Sequence, residues 1–503
     1  MIPVLQKLSG LYVWYALVVL TLGYLTAELG HFLIGVTSKA TAVDIHYGDI
    51  ACQWLPPPHT EYQKELSDAC TAALDKITCE NTTQCEWNYN GLGYDYQVLA
   101  GPSFIAVYTI AGIFLGVAAD KYKRVPMVAT CILIIGVSCL LIGASTEYWQ
   151  LLVLRMVFAA GEAGLNPMST GILSDLFPEH LRGLVMSLFN WGIYGGIGLS
   201  FPVGRYITEL NAWGLGWRVA YYFSGIIALI VGVLAAISLK EPERTAIGEE
   251  TEEQQDTGAK KESDSTWKIM LQPRFIMLCI AASIRHTGGL CFAYNCDLFY
   301  RDIFPHLDLG GWLFFVTFVV GGVGVIVGGI VSDKIVAKMG IKSRAAVLAI
   351  SQLIATPFAF GSIYMGPVGA MITLAISYLF AEMWFGILFA ILVEIVPVSV
   401  RSTTVGVFLF IMNNIGGNLP ILMEPVRKAT SFRDSLAIFY AGAYLISSVL
   451  FAITMMMMGK TKKETKNAAN VEGVANEGFT SLENISRTNS QPANSRTIES
   501  HHL

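Results

Sequence analysis

Seven ionisable side chains stand inside long apolar stretches of this chain: Glu28 and His31, Arg155 and Glu162, Arg285 and His286, and Glu382. Holding such a group in hydrocarbon costs about 2.5–3.5 kcal/mol on insertion scales, so these residues are expected to face a cavity and to serve function. Glu28 with His31, and Arg155 with Glu162, are spaced to share one helix face. The chemistry on offer is proton binding and anion recognition. A carboxylate at Glu28 or Glu162 takes up a proton with an affinity set by a neighbouring cation or substrate. The Arg155 guanidinium can fork onto a carboxylate or phosphate, and His31 can titrate near neutral pH. The plainer alternative is a set of fixed ion pairs tying helices together. For His31 and His286 a simple hydrogen bond across helices is the stronger expectation. Asn413 and Asn414 are unusually polar for their stretch and are candidates to touch a substrate.

The elements that position these residues are membrane helices. The chain has 503 residues, of which 53% are hydrophobic and only 14% charged, with a mean hydropathy of +0.53. Soluble domains average about 25% charged residues. A hydrocarbon core about 30 Å thick needs roughly 20 apolar residues per helix, and twelve such stretches can be counted between residue 11 and residue 458. The intramembrane charges fall on the first, fourth, seventh and tenth of them. The expected class is all-α, twelve transmembrane helices in two six-helix halves. The domain reading is 1–10 as a short N-terminus, 11–238 as the first half, 239–267 as a charged linker, 268–458 as the second half, and 459–503 as a polar tail. Linker and tail have no hydrophobic pattern and read as disordered.

Repeats support the two halves. Gly116, Asp120, Lys121 and Arg124 follow the second stretch. Gly329, Asp333 and Lys334, trailed by Lys338, Lys342 and Arg344, follow the eighth. Asp175, Pro178, Arg182 and Phe189 recur at identical spacing as Glu394, Pro397, Arg401 and Phe408. Internal duplication of this kind is a mark of transporters built from repeats. The GxxxD(K/R) loop with trailing basic residues resembles the signature loop of the major facilitator superfamily. The run from Arg155 to Ala163, leading to Asp175-Leu176-Phe177-Pro178, resembles the fourth helix of its Spinster-like branch. That resemblance implies proton-linked movement of lysophospholipids or sphingolipids, with the four charged helices lining a central cavity. It also implies a gating latch made by Asp120, Lys121 and Arg124. Gly116, the second copy at Gly329, Asp333 and Lys334, and the pairs Asp175–Arg182 and Glu394–Arg401 are read into the same layer, with simple anchoring of the topology as the alternative for those pairs.

The segment 37–97 is read as a polar outer loop. Its four cysteines, Cys52, Cys70, Cys79 and Cys85, argue for two disulfides whose pairing sequence does not give. Asn81 heads a glycosylation sequon, Asn-Thr-Thr. The other five cysteines lie in or beside apolar stretches and read as buried thiols. Basic residues in the short loops and at the start of the tail fall on one side of a twelve-span chain, and the positive-inside rule makes that side, with both termini, cytoplasmic. The cysteine loop then faces outward or into a lumen, in a plasma, lysosomal or endosomal membrane.

Three functions follow as expectations. The first is a secondary active transporter, proton-coupled, moving a small amphipathic anion such as a lysolipid or sphingolipid. The second moves a polar organic anion or sugar through the same machinery. The third is a non-transporting receptor using the disulfide loop. No nucleophile elbow, metal-ligand cluster or nucleotide loop is present in the sequence, so an enzyme, a cofactor and a metal are not expected. A net charge of −5 gives no reason to expect nucleic acid. The expected partners are the lipid bilayer, a small-molecule substrate and the proton.

Overall fold

Backbone groups in hydrocarbon must be satisfied within the segment that carries them, which leaves apolar stretches of this length little choice but helix. The structure, a computed structural model, describes residues 3–54, 70, 75–81, 85–242, 270–304, 307–340, 342–396 and 401–458. Within these, the side chains of 3–9, 53–54, 120, 179–180, 182–184, 337, 393 and 401–403 lie outside the described part. Most of the linker expected at 239–267 and all of the tail at 459–503 also lie outside it. The contacts below belong to the unit Met1–Met455.

Span one is Pro3–Ile45, span two Tyr94–Ala100 continued by Pro102–Lys121, and span three Arg124–Gly143. Span four is Tyr148–Ala163 followed by Leu165–Leu176; span five is Glu179–Pro202, extended by Val203–Ile207 and Thr208–Leu210; span six is Arg218–Ser238. In the second half, span seven is Pro273–Ile303, span eight Gly310–Phe315 through Gly322–Met339, and span nine Lys342–Tyr364. Span ten is Pro367–Ala381 followed by Phe385–Ile395, span eleven Arg401–Asn418 through Met423–Ala429, and span twelve Phe432–Leu436 through Ala443–Met457. Eleven helices among the described residues are long and apolar enough to cross a membrane. Glu179–Pro202, 24 residues long, completes the twelve.

Span one runs further than hydropathy suggests. Polar residues after Val36 were expected to open the outer loop, yet the helix continues to Ile45. Thr37 donates its hydroxyl to the Leu33 carbonyl at 2.8 Å, and Thr41 does the same to Thr37. A threonine that bonds one turn back hides its own polarity, so hydropathy understates its tolerance for helix.

Beyond span one the chain forms a two-stranded antiparallel hairpin. Strand β1 (Ile50–Trp54) pairs with β2 (Cys85–Tyr89), with Cys52 opposite Trp87. Cys52 is bonded to Cys79 and Cys70 to Cys85, a pairing that spacing alone left open. The base of the hairpin is fixed by Asp49 N–H to the Leu92 carbonyl at 2.9 Å and by Asn90 N–H to the Asp49 carbonyl at 3.0 Å. Gly91 sits there at φ +77°, and a Cβ on it would stand 2.6 Å from the Lys39 backbone, so only glycine fits. Asn81, the sequon residue, is exposed. The side of the molecule bearing this hairpin is called the hairpin face below, and the side bearing the Lys121–Arg124 and Lys338–Arg344 loops the basic face.

Buried side chains form one apolar core within the first half, including Phe104, Phe158 and Phe189, and another mainly in the second, including Phe292, Tyr300 and Tyr440, which also takes in Val36 and Phe201 of the first. A third lies toward the hairpin face and is shared, bringing Tyr47, Tyr96 and Trp217 together with Tyr294 and Leu298.

Candidate functional site: paired carboxylates at two helix breaks

Span four breaks at Gly164, three residues before Pro167, and the break leaves Glu162 in the last turn of its first piece. Glu162 and Arg155 are each 3% exposed. His31 from span one places Nδ1 3.1 Å from Glu162 Oε1, and its Nε2 lies 2.9 Å from the Tyr294 hydroxyl on span seven. The Phe104 ring packs against the imidazole, with centroids 3.8 Å apart, and carries the Arg155 guanidinium 4.6 Å from its centre. Arg155 Nε donates to the Leu99 carbonyl at 3.3 Å. Glu28 is buried one turn before His31 on the same face. Among the described residues, Glu162 Oε2 and Arg155 Nη2 have no hydrogen-bond partner. Buried polar atoms left so are costly and mark a place where a proton, water or ligand is accommodated.

Span ten breaks in the same way after Ala381, and Glu382 stands at the break. Arg285 from span seven donates to Glu382 Oε1 at 3.0 Å and to the Ala381 carbonyl at 2.8 Å. The Tyr194 hydroxyl of span five donates to Glu382 Oε2 at 3.1 Å. The guanidinium lies 4.4 Å from the Trp384 ring centre and 4.8 Å from that of Tyr444. His286 packs beside Trp384, with centroids 6.0 Å apart. Each half therefore sets one carboxylate at the break of its fourth helix. A broken helix inside a membrane is tolerated where it lines a cavity.

The geometry groups the expected residues into two clusters, Glu28–His31–Arg155–Glu162 and Arg285–His286–Glu382. Arg155 is held on Phe104, and the partner of Glu162 in this conformation is His31. Asn413 and Asn414 join neither cluster. Asn414 lies at the seam of spans two and eleven, where Thr109 Oγ1 donates to its Oδ1 at 3.5 Å. Glu28, His31 and Glu162 bring one donor atom each within 4.8 Å of one another. With Arg155 supplying fixed positive charge on the adjoining ring, that group suits a proton better than a metal ion.

Several residues that complete the site carry no sequence signal as single letters. The Tyr96 hydroxyl donates to the Tyr294 carbonyl, and Gln97 to Asn295 at 3.2 Å, stitching span two to span seven. Asp49 at the hairpin base meets Arg427 at 2.5 Å and Lys428 at 3.0 Å. Arg205 at the end of span five pairs with Asp308 at 3.1 Å. These bridges join the halves toward the hairpin face. Hydropathy placed Asp49 in the outer loop and Tyr96 and Arg205 at or near span ends, where polar residues are ordinary.

The described ion pairs of the latch set lie within each half in this conformation. Arg124 pairs with Asp175 at 2.5 Å and with Glu241 at 3.2 Å, all within the first half. Arg344 pairs with Asp333 at 2.8 Å and Glu394 at 2.9 Å, all within the second. The ion pairs thus fasten helices inside each half, with Glu241 and Arg344 as members the expected latch set left out. A Cβ on Gly116 or Gly329 would meet nothing within 4 Å. Lys121 and Lys334 are exposed. The side chains of Asp120, Arg182 and Arg401 lie outside the described residues.

With twelve spans, duplicated halves and a charged centre in place, comparison with known proteins is decisive. The model of the Major Facilitator Superfamily matches residues 8–419. The chain belongs to that family. A hexuronate transporter of Bacillus subtilis is 23% identical over 363 residues, which is 69% of this chain and 81% of that protein. An Arabidopsis thaliana protein described as a probable sphingolipid transporter, spinster homolog 1, is 26% identical over 180 residues, or 35% of this chain. That alignment covers 34% of the plant protein's length. A solved bacterial homolog of the human lysosomal transporter Spinster shares the fold at a TM-score of 0.64 and 17% identity, covering 89% of this chain and 96% of its own. The spinster matches support the branch that the fourth helix resembles. This family member is a multi-pass membrane transporter, and its family and fold are those of transporters rather than enzymes.

Proposed function

We propose that the chain is a proton-coupled secondary transporter of a small amphipathic anion, working by alternating access. The observation that carries this reading is the buried Glu162, bonded to an imidazole and with one oxygen unpartnered among the described residues, together with a second carboxylate–arginine pair at the matching break in the other half. A carboxylate so placed exchanges a proton as its surroundings change between conformations, which ties proton movement to the conformational cycle. Arg155 and Arg285 supply cations for an anionic head. The stacked rings of Trp191 and Phe318, which meet between the halves, favour an apolar body on the substrate. A lysolipid or sphingolipid has that chemistry. The bridges toward the hairpin face support a conformation in which that side is closed and the cavity opens toward the basic face, which the positive-inside rule makes cytoplasmic together with both termini.

One observation favours a second reading, a polar organic anion: the hexuronate transporter aligns over the greater share of both chains. The test uses purified protein in liposomes with an imposed proton gradient. Labelled lysophospholipids and sphingosine-type lipids are compared with hexuronates and sugars, for wild type and Glu162→Gln. Lipid flux that follows the gradient and loses that dependence in the variant is the expected result. Flux of hexuronate alone discards the lipid, and gradient-independent flux in wild type discards proton coupling.

A further inference from the structure

His31 touches both the carboxylate of its own half and a hydroxyl of the other. Its Nδ1 lies 3.1 Å from Glu162 Oε1, and its Nε2 lies 2.9 Å from the hydroxyl of Tyr294. Tyr294 in turn sits in the closure of the hairpin face: its backbone carbonyl accepts from Tyr96, its ring stacks on Phe32 at 5.3 Å, and its neighbour Asn295 accepts from Gln97. A proton site and a gate contact therefore meet on one imidazole.

The direction of these hydrogen bonds depends on the proton. With Glu162 ionised and the imidazole neutral, Nδ1–H donates to Oε1. Nε2 then has a lone pair and accepts the Tyr294 hydroxyl. One added proton changes this. If the imidazole holds it, Nε2 becomes N–H and donates to the Tyr294 oxygen. If Glu162 holds it and donates to Nδ1, the imidazole hydrogen moves to Nε2, with the same outcome. A proton left on Glu162 Oε2 would find no acceptor among the described residues, where that oxygen has no partner. In either favourable case Tyr294 must turn its own hydrogen elsewhere, and the bond that joins the two halves at this point reverses.

We propose that Tyr294 is the positioning residue through which the proton state of the His31–Glu162 pair is read as closure of the hairpin face. This rests on the proton-coupled reading above. The titratable and charged groups facing the pair are Tyr24 and Glu28 from span one, Tyr108 from span two, Cys139 from span three, Arg155 from span four and Tyr294 from span seven. Tyr221 of span six faces Arg155. Glu28 is the other carboxylate of the group. It tunes the proton affinity of Glu162 by its charge, whereas the direction of the Tyr294 bond is set at Nε2.

The test follows the gap between the halves. Dyes are placed through unnatural amino acids at Trp213 and Met365, both exposed on hairpin-face connections of opposite halves, and their energy transfer is measured from about pH 5.5 to 7.5, across the imidazole range. Wild type is expected to shift its closed fraction with pH. Tyr294→Phe keeps the backbone carbonyl and is expected to flatten that pH profile at least threefold. Tyr96→Phe is the contrast: it weakens closure at every pH and retains the profile. A Tyr294→Phe profile that tracks wild type overturns the proposal and leaves proton coupling standing if Glu162→Gln still abolishes gradient-driven flux. A flat wild-type profile with gradient-independent flux overturns both.

Discussion

Arg285 donates to Glu382 at 3.0 Å from a guanidinium set between the rings of Trp384 and Tyr444. The arginine is 2% exposed, so removing its partner leaves a buried charge, and removing the arginine leaves a buried carboxylate. Breaking such a pair costs about 3–5 kcal/mol, whereas replacing both members with neutral residues costs far less. Arg285→Met is therefore expected to lower the unfolding temperature in detergent sharply, and Arg285→Met with Glu382→Gln to recover most of it. Arg285→Lys keeps the charge yet loses the fork and the ring contacts. It should fold near wild type and lose at least tenfold in transport. A lysine variant with normal flux would show that the guanidinium plane is not used.

Gly35 lets spans one and seven approach at the residue that closes the gate. A Cβ there would stand 2.9 Å from the Tyr294 carbonyl oxygen and 3.4 Å from its carbonyl carbon and Cα. Those atoms are backbone, so they yield only if the helices separate, at a cost of about 1–3 kcal/mol. Gly35→Ala is expected to reduce the hairpin-closed fraction several-fold, and Gly35→Val further, in the Trp213–Met365 distance measurement. An unchanged closed fraction in both would mean that spans one and seven have slack which the packing does not reveal.

The Asp49 clasp answers to pH in a different window. Burial pushes the Asp49 carboxyl up, but the bond from Lys428 and the charge of Arg427 outweigh it and hold it below the usual carboxylate range. A depressed value means the clasp contributes fully above the unpaired value of about 3.9 and is lost only as pH falls through the lower, clasped one. Asp49→Asn should therefore reduce closure by a similar factor throughout neutral and mildly acidic pH. The pH response assigned to Tyr294 should persist in it. A clasp that loosens between about pH 7 and 5.5 would contradict this ordering.

The sequence made the broad plan readable because the plan is written in composition and repetition. Apolar stretches marked the spans, and the charges on spans one, four, seven and ten marked the centre. With Asp175 aligned on Glu394, Glu162 falls one position from Glu382, and both stand at helix breaks. What escaped notice depends on contacts between halves. Tyr294 and Tyr96 look like ordinary interfacial tyrosines, and only their meeting makes them a gate. Thr37 and Thr41 read as loop because their hydroxyls look polar until they bond one turn back. Arg344 stood in view as a trailing basic residue. Its separation from Glu394 nearly repeats that of Arg124 from Asp175, the clue that both pairs fasten equivalent helices.

Those two pairs make the final prediction. Arg124 is 9% exposed and reaches both Asp175 and Glu241, while Glu241 also accepts the Val125 N–H at 2.8 Å. The printed bonds of the network tie spans three and four to Glu241 just beyond span six, near the basic face. Arg124→Ala is expected to cost about 2–3 kcal/mol through the lost charge-assisted bonds to Asp175 and Glu241, seen as a lower unfolding temperature, and Asp175→Asn with Glu241→Gln in the same chain to restore part of it. In this conformation the Trp213–Met365 distance distribution should stay as in wild type. A shift in that distribution without loss of thermal stability would instead make Arg124 a contact between the halves, the latch that family resemblance suggests.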